Sequence, residues 1–398
     1  MHVTTMIPRV KVNYSIGQLL RALFIGDNVP QHRQRLIGLL QEYLGEQNIL
    51  LTPSGRAGLY YILKSVDKPR VIIPSYTCKA VVEASLLAGK EVVYAEVEED
   101  GFNMTPSALL PILDDRCTVV ATHQFGIPCD IESIVKLCRD RNATIVEDVA
   151  PALGTKISGN LAGTFGDAAF FSFDSTKLIN VPLKAGFITV KDDSLFLKIK
   201  EGYENQIEAM PWSHKLKLII LSLALIVLEK HFLYKLFHWL VFDLKGRFTT
   251  DTENLCLELS EFYRYDMANW QAYIAASQIA KIDHILSARH RLYTYYQARL
   301  QSCRNFYLPP VDQGSEWGCI RFPIRVRENK YTYYRQLVRR GIDCAFSFTH
   351  IVCPAEFTVA HDLASSVLDI PYYEKLSDAE LSRVVYAIKS LEEEIRAD

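Results

Sequence analysis

The sequence predicts an α/β fold: a mostly parallel central sheet flanked by helices, followed by a smaller C-terminal α+β domain. Two observations carry this. From Leu51 to Val190, short apolar runs alternate with segments of helical length and period. After Tyr263 that alternation gives way to longer helical stretches. The runs are Val71–Pro74, Glu91–Val97, Thr118–Phe125, Ala143–Asp148, Ala168–Phe173 and Gly186–Val190. They are β-branched or aromatic and bounded by turn signals, as buried strands are. Helical patterns occupy Arg56–Ser65, Lys79–Ala88, Pro106–Leu113 and Ile131–Arg141. Strand–helix–strand repetition of this kind closes into a parallel sheet covered on both faces. Beyond it, Asn269–Arg299 and Tyr331–Arg340 read as helices and Trp317–Val326 as a strand. Ser377 and Glu380 form a capping box for a last helix. The expected division is a helical arm over 1–50, a large domain over 51–260 with an apolar helical insertion at 212–245, and a small domain over 261–398.

Composition narrows the function classes. Of 398 residues, 49% are hydrophobic, enough to bury real cores and too many for a disordered chain. Lys and Arg number 44 against 46 Asp and Glu, so no global field draws nucleic acid. Nine scattered cysteines without a C-x-x-C pair argue against a zinc ribbon or a disulfide framework. They fit a reducing compartment. The opening residues lack the basic and apolar regions of a secretory signal, so a cytoplasmic location is expected.

Residues 215–242 stand apart. Leu218–Leu228 has Ser222 as its one polar residue, but a membrane span needs ~20 apolar residues. Phe232, Leu233, Leu236, Phe237, Leu240 and Val241 share a helical face, and Lys215, Lys217, Lys230, Lys235, Lys245 and Arg247 punctuate the segment. The favoured reading is a pair of helices packed on the protein or a partner subunit. The sharper one is an interfacial anchor, placing the protein peripherally on the inner face of a membrane.

Ligands of parallel sheets sit beyond the carboxyl ends of the strands. Three features fall there. Lys177 follows the run Phe171-Ser-Phe173. Against an apolar wall its ammonium loses hydration, and the amine becomes a nucleophile suited to carbonyl chemistry. Taken alone, Lys177 reads more often as a solvated loop lysine. Asp148 ends the run ATIVED beside Glu147, and one of the two acids should face the cleft. There it would pair with a cationic ring nitrogen; its plain alternative is a helix N-cap. Thr52-Pro-Ser-Gly-Arg-Ala-Gly58 opens a helix, so Gly55 and Arg56 can offer N–H groups to an anion, or merely cap. The loop does not match a nucleotide P-loop.

The order of these features is more specific than any one of them. Together with Pro74-Ser-Tyr-Thr77, Phe102-Asn-Met104, His123-Gln-Phe-Gly-Ile-Pro-Cys-Asp130, Gly163-Thr-Phe-Gly-Asp167 and Leu376-Ser-Asp378, it resembles the DegT/DnrJ/EryC1/StrS aminotransferase family. These are sugar aminotransferases of fold type I that use pyridoxal 5'-phosphate. The resemblance spans about Leu51 to Leu391. It implies that Lys177 holds the cofactor and shuttles a proton, that Asp148 keeps the pyridine nitrogen protonated, and that Ser172, Gly55 and Arg56 bind the phosphate. It implies a homodimer, with an amino acid (glutamate expected) as donor and a keto-sugar, carried as a nucleotide sugar, as acceptor. Arg264 is the residue expected to reach the partner subunit's phosphate. Tyr76 and His350 are the expected substrate contacts.

The departures are informative. Cys78 replaces the aromatic that usually stacks on the ring. Pro151 and Leu153 stand where glutamine and histidine are frequent, and Asn180–Gly186 replaces a glycine-rich loop. They point to an unusual substrate. They also support a rival expectation, a catalytically altered or inactive homologue serving as a regulatory or assembly protein at a membrane.

Overall fold

The computed structural model describes residues 5–26, 30–243, 254–310, 316–327, 329–348 and 350–397. The N-terminal arm forms α1 (Ile16–Leu23) and α2 (Gln31–Leu44). Then β1 (Ile49–Thr52), α3 (Gly55–Ser65), β2 (Arg70–Pro74), α4 (Lys79–Leu87), β3 (Glu91–Ala95), α5 (Pro106–Leu109), β4 (Cys117–Thr122), α6 (Ile131–Asp140) and β5 (Thr144–Asp148) alternate. A small hairpin, β6 (Lys156–Ile157) and β7 (Asn160–Leu161), precedes β8 (Ala168–Ser172) and β9 (Gly186–Val190). Helices α7 (Asp193–Glu204), α8 (Trp212–Leu228), α9 (His231–His238), α10 (Glu261–Arg264), α11 (Asn269–Ile279) and α12 (Ile282–Leu300) follow. The chain ends with β10 (Phe306–Tyr307), β11 (Phe322–Val326), α13 (Lys330–Arg339), α14 (Thr358–Ser366), β12 (Val367–Ile370) and α15 (Asp378–Ala397).

The central sheet has seven strands in the order β1-β9-β8-β5-β4-β2-β3. Strands β8, β5, β4, β2 and β3 are parallel, and β9 runs against both β8 and β1. The pleat explains why these strands are apolar on both sides. Ile72, Val119 and Ile145 enter a core shared with α6 and the C-terminal sheet. Val71, Val120 and Val146 enter another, beneath α3 and α4. Ala169, Phe171 and Phe187 face α11 in a third.

The strand–helix order agrees with the sequence reading, and the differences have local causes. The strand expected from Trp317 begins only at Phe322, because Gly318 is tied beneath the loop after β5 by its N–H to Thr155 Oγ1, 2.9 Å. The helix expected over 106–113 stops at Leu109, while the helices expected over 269–299 are α11 and α12. The arm does not stand apart: Ile7 pairs with Ile342 in the C-terminal part, and α2 packs on α11. The insertion forms α8 and α9, joined at Glu229 and Lys230; Lys245 and Arg247 lie outside the described residues.

Candidate active site

The carboxyl ends of β2, β4, β5 and β8 converge on a cavity of about 250 Å³. Lys177, Asp148, Ser172, Gly55, Arg56 and Cys78 all line it. Register decides which acid faces inward. Asp148 pairs with Thr122 across β4 and β5, and its Oδ2 accepts the Thr122 hydroxyl at 3.2 Å. Its Oδ1 accepts the Ala150 N–H at 3.1 Å, and no helix follows, so it is not an N-cap. Glu147 points to the opposite side of the pleat. There it accepts N–H bonds from Gly163, Phe165 and Gly166, and meets His123 Nε2 at 3.2 Å.

Burial shapes the electrostatics. It pushes the Lys177 amine below the ordinary lysine value; Asp148 opposes that shift, and Arg321 adds to it. It likewise pushes the Asp148 carboxyl upward, against the pull of Lys177 and of the Ala150 and Thr122 hydrogen bonds. The pair is therefore poised rather than locked as a full ion pair. A lysine biased toward its free amine beside a carboxylate is the arrangement carbonyl chemistry needs.

The floor is the start of α3. Ser54 caps the helix, its Oγ accepting the Ala57 N–H at 3.2 Å. Gly55 and Arg56 occupy the first two helical positions, where a helix has no carbonyl to offer their N–H groups. Those groups and the Ser172 hydroxyl share the cavity wall. The Arg56 side chain is committed elsewhere: it pairs with Glu83 at 2.9 Å and lies over the Phe262 ring. Its contribution at the cavity is therefore the backbone. Close approach depends on glycine. A Cβ at Gly186 would stand 2.4 Å from the Phe171 carbonyl and 2.8 Å from the Gly55 nitrogen, both backbone atoms. Gly186→Ala should cost about 1–3 kcal/mol of stability and displace the α3 start, lowering affinity for a phosphate ligand. Thermal melting and a cofactor titration on the same variant check both.

Several cavity residues were not singled out from sequence. The loop Asn180–Gly186 lacks the usual glycines, but Gln271 donates to the Pro182 and Lys184 carbonyls, and Gln278 donates to the Asn180 carbonyl. Pinned this way, the loop presents Lys184, which pairs with Asp174 at 3.5 Å and sits 4.4 Å from the Phe262 ring. Arg321 enters from the C-terminal part, bonded to Asp369 at 2.9 Å. Arg321 lies in no motif, and Lys184 lies in the departing loop without any local sign of its role. Their role comes from chain segments that meet only in the fold.

Three expected residues fall elsewhere. Tyr76 is fully buried beside Phe102, Phe125 and Phe348, and is not part of the cavity wall. Apolar packing takes the ring that proximity in sequence had put near the cofactor. His350 opens onto a separate cleft of about 1100 Å³ with Arg325, Lys330 and His361; this cleft shares no residue with the Lys177 cavity. The loop before it turns Phe346, Ser347 and Phe348 toward the site instead. Arg264 is half-exposed and bonds Glu208 at 2.8 Å, outside the cavity of its own chain.

A buried amine and an acid above a helix start, at the strand ends of this sheet, are the arrangement that the resemblance to PLP-dependent aminotransferases leads one to expect. The chain belongs to the DegT/DnrJ/EryC1/StrS aminotransferase family, whose profile matches residues 27–389. It is 24% identical over 364 residues to GDP-perosamine synthase from Caulobacter vibrioides, covering 87% of this chain and 86% of that one. Among solved structures it is similar to S. venezuelae DesV, with TM-score 0.77 and 19% identity over 98% of this chain and 99% of that one. It is also similar to Helicobacter pylori PseC, an aminotransferase involved in the biosynthesis of pseudoaminic acid. That match has TM-score 0.75 and 16% identity over 99% of each chain.

Proposed function

We propose that this protein moves an amino group from an amino acid, with glutamate as the expected donor, to a keto-sugar carried as a nucleotide sugar, in polysaccharide or glycan biosynthesis. The observation that carries the reading is the Lys177 amine and the Asp148 carboxylate facing one cavity above the α3 start. The family, and the sugar named for the Caulobacter relative, support the acceptor class.

The cavity fits pyridoxal 5'-phosphate. It has an anion site, a buried amine and an acid in one wall, and a Cβ at Gly55 would crowd Ser172 Cβ at 3.1 Å. Gly55 and Arg56 N–H groups and the Ser172 hydroxyl would hold the phosphate. Bound there, the cofactor supplies an aldehyde and a ring that accepts the electron pair released at the substrate carbon. Lys177, whose amine burial favours over its ammonium, would hold the cofactor and carry the proton between it and the substrate. Asp148, fixed by Thr122 and Ala150, would stabilise positive charge on the bound cofactor's ring. Arg321 supplies a cation for the donor's carboxylate. Cys78 leaves the ring face less covered than an aromatic would. A homodimer would let a partner's Arg264, exposed here, complete the phosphate site.

The test is the half-reaction. Protein loaded with pyridoxal 5'-phosphate and given glutamate should convert the cofactor to its amino form, and a keto-sugar nucleotide should restore it. Failure to convert with every proteinogenic amino acid would sink the proposal. Arg321→Ala should raise KM for the amino donor by about 10- to 100-fold, the weight of a charge-assisted pair. kcat should change less, and Arg321→Lys should recover part of the loss. Steady-state kinetics with varied donor check it.

A further inference from the structure

Helices α8 and α9 are built inside out. The side of α8 that meets the protein carries Lys215 and Ser222 beside Leu218 and Ile219. Lys215 Nζ donates to the Leu23 and Ile25 carbonyls, tying α8 to the end of α1. The opposite side, which a soluble helix fills with charge, presents Ile220, Leu221, Leu225 and Val227. Helix α9 repeats the inversion. Its buried positions are Tyr234 and His238, bonded to Asp343 and Tyr334. Its exposed apolar residues are Phe232 and Leu236, and Trp239 and Leu240 continue the stripe in the helical turn that follows. Polar contacts and the buried Leu218 and Ile219 hold the pair down, and a second set of apolar side chains points away.

Helix α1 packs on α8 and extends the same surface with Leu20 and with Phe24, which is 89% exposed. Of the 19 large hydrophobic residues exposed in the described part of the chain, 12 lie in or directly beside these three helices. Scattered exposed leucines are ordinary; a concentration of this kind marks an interaction surface.

The charge around the patch selects the occupant. Helices α1, α8 and α9 contain no Asp or Glu. Arg21, Lys217 and Lys230 are exposed at its margins. Glu229, between α8 and α9, is turned inward and accepts the Val12 N–H at 2.8 Å. Trp212 and Trp239 stand exposed near the two ends of the pair, the position amphipathic aromatics take at a lipid–water boundary. Two copies of the chain stacked here would bring two basic rims together, which disfavours a self-interface. No helix among the described residues is long and apolar enough to cross a membrane, so the surface would lie in the interface plane.

We propose that α1, α8 and α9 form a monotopic docking face for an anionic lipid bilayer. The apolar stripe enters the acyl boundary while Arg21, Lys217 and Lys230 meet the headgroups. This goes beyond amino transfer, and its readout needs no substrate, so its failure leaves that reading intact. The test is co-sedimentation of the full-length, cofactor-loaded protein with vesicles of equimolar phosphatidylglycerol and phosphatidylcholine, against phosphatidylcholine alone. Binding should be at least about tenfold stronger to the anionic vesicles and fall with salt. Phe232→Ser with Leu236→Ser should abolish it, and Lys217→Glu should weaken it, with unchanged melting temperatures. Equal binding by the double variant, or none by the wild type, would overturn the proposal. So would a change of oligomeric state by the double variant in lipid-free sedimentation velocity, which would assign the face to a second copy.

Discussion

Lys177→Ala is expected to lower turnover by on the order of 10⁴-fold or more, since it removes both the amine nucleophile and the proton shuttle. Stopped-flow and steady-state assays on the loaded variant check it; residual turnover within a hundredfold of wild type would contradict the assigned role. The same substitution has a signature in stability. Burial holds the Lys177 pKa in the folded state below the ordinary value of 10.5. Between the folded and unfolded values the unfolded chain binds the extra proton, so stability from this group rises with pH across that window. Below the folded value the full cost of a buried ammonium is present. The alanine variant should lose this upward slope. Melting temperatures of the two apo-proteins, compared from neutral pH toward the lysine range, should therefore converge as pH rises.

Asp148→Asn is expected to cost about 10²–10⁴ in turnover. The amide keeps the volume and can still meet the Thr122 hydroxyl, but it offers no negative charge to hold a proton on a ring nitrogen. The loss should appear in kcat, with donor KM changing little, because Asp148 faces the cofactor position rather than the donor's carboxylate. Saturating cofactor should not rescue it. Turnover within tenfold of wild type would remove Asp148 from the mechanism. Because Asp148 is also the first attraction opposing the depression of Lys177, the rise of stability with pH should begin at lower pH in the cofactor-free variant.

Much of this site was legible along the chain because its elements are local. Asp148 and Ser172 lie at or near the end of an apolar run and Lys177 a few residues beyond one, and the run announces itself by composition. That placed Asp148, Ser172 and Lys177 beside a common edge, and Gly55 and Arg56 at a helix start. The strand pattern alone left Glu147 and Asp148 open, and the family resemblance is what chose Asp148. Adjacent residues on a strand face opposite sides, and only the β4–β5 register shows that Asp148 meets Thr122 while Glu147 meets His123. Tyr76 and His350 misled for a related reason. Each lies near a site residue in sequence, but packing against Phe125 and Phe348, or the turn before His350, sends them elsewhere.

The sequence by itself determined the fold class, the family and the acid–serine–lysine set, because hydrophobic period and motif order are properties of contiguous residues. Tertiary structure alone decided the rest. Arg321 reaches the cavity from a segment far from the motifs, held by Asp369, and Lys184 lines it because Gln271 pins its loop. The apolar character of 215–242 was visible in composition, but its direction was not. A helix rich in leucine on both sides could turn either one outward. The Lys215 contact with the Leu23 and Ile25 carbonyls, and the Tyr234 contact with Asp343, settle which side is held in and leave the apolar side facing out.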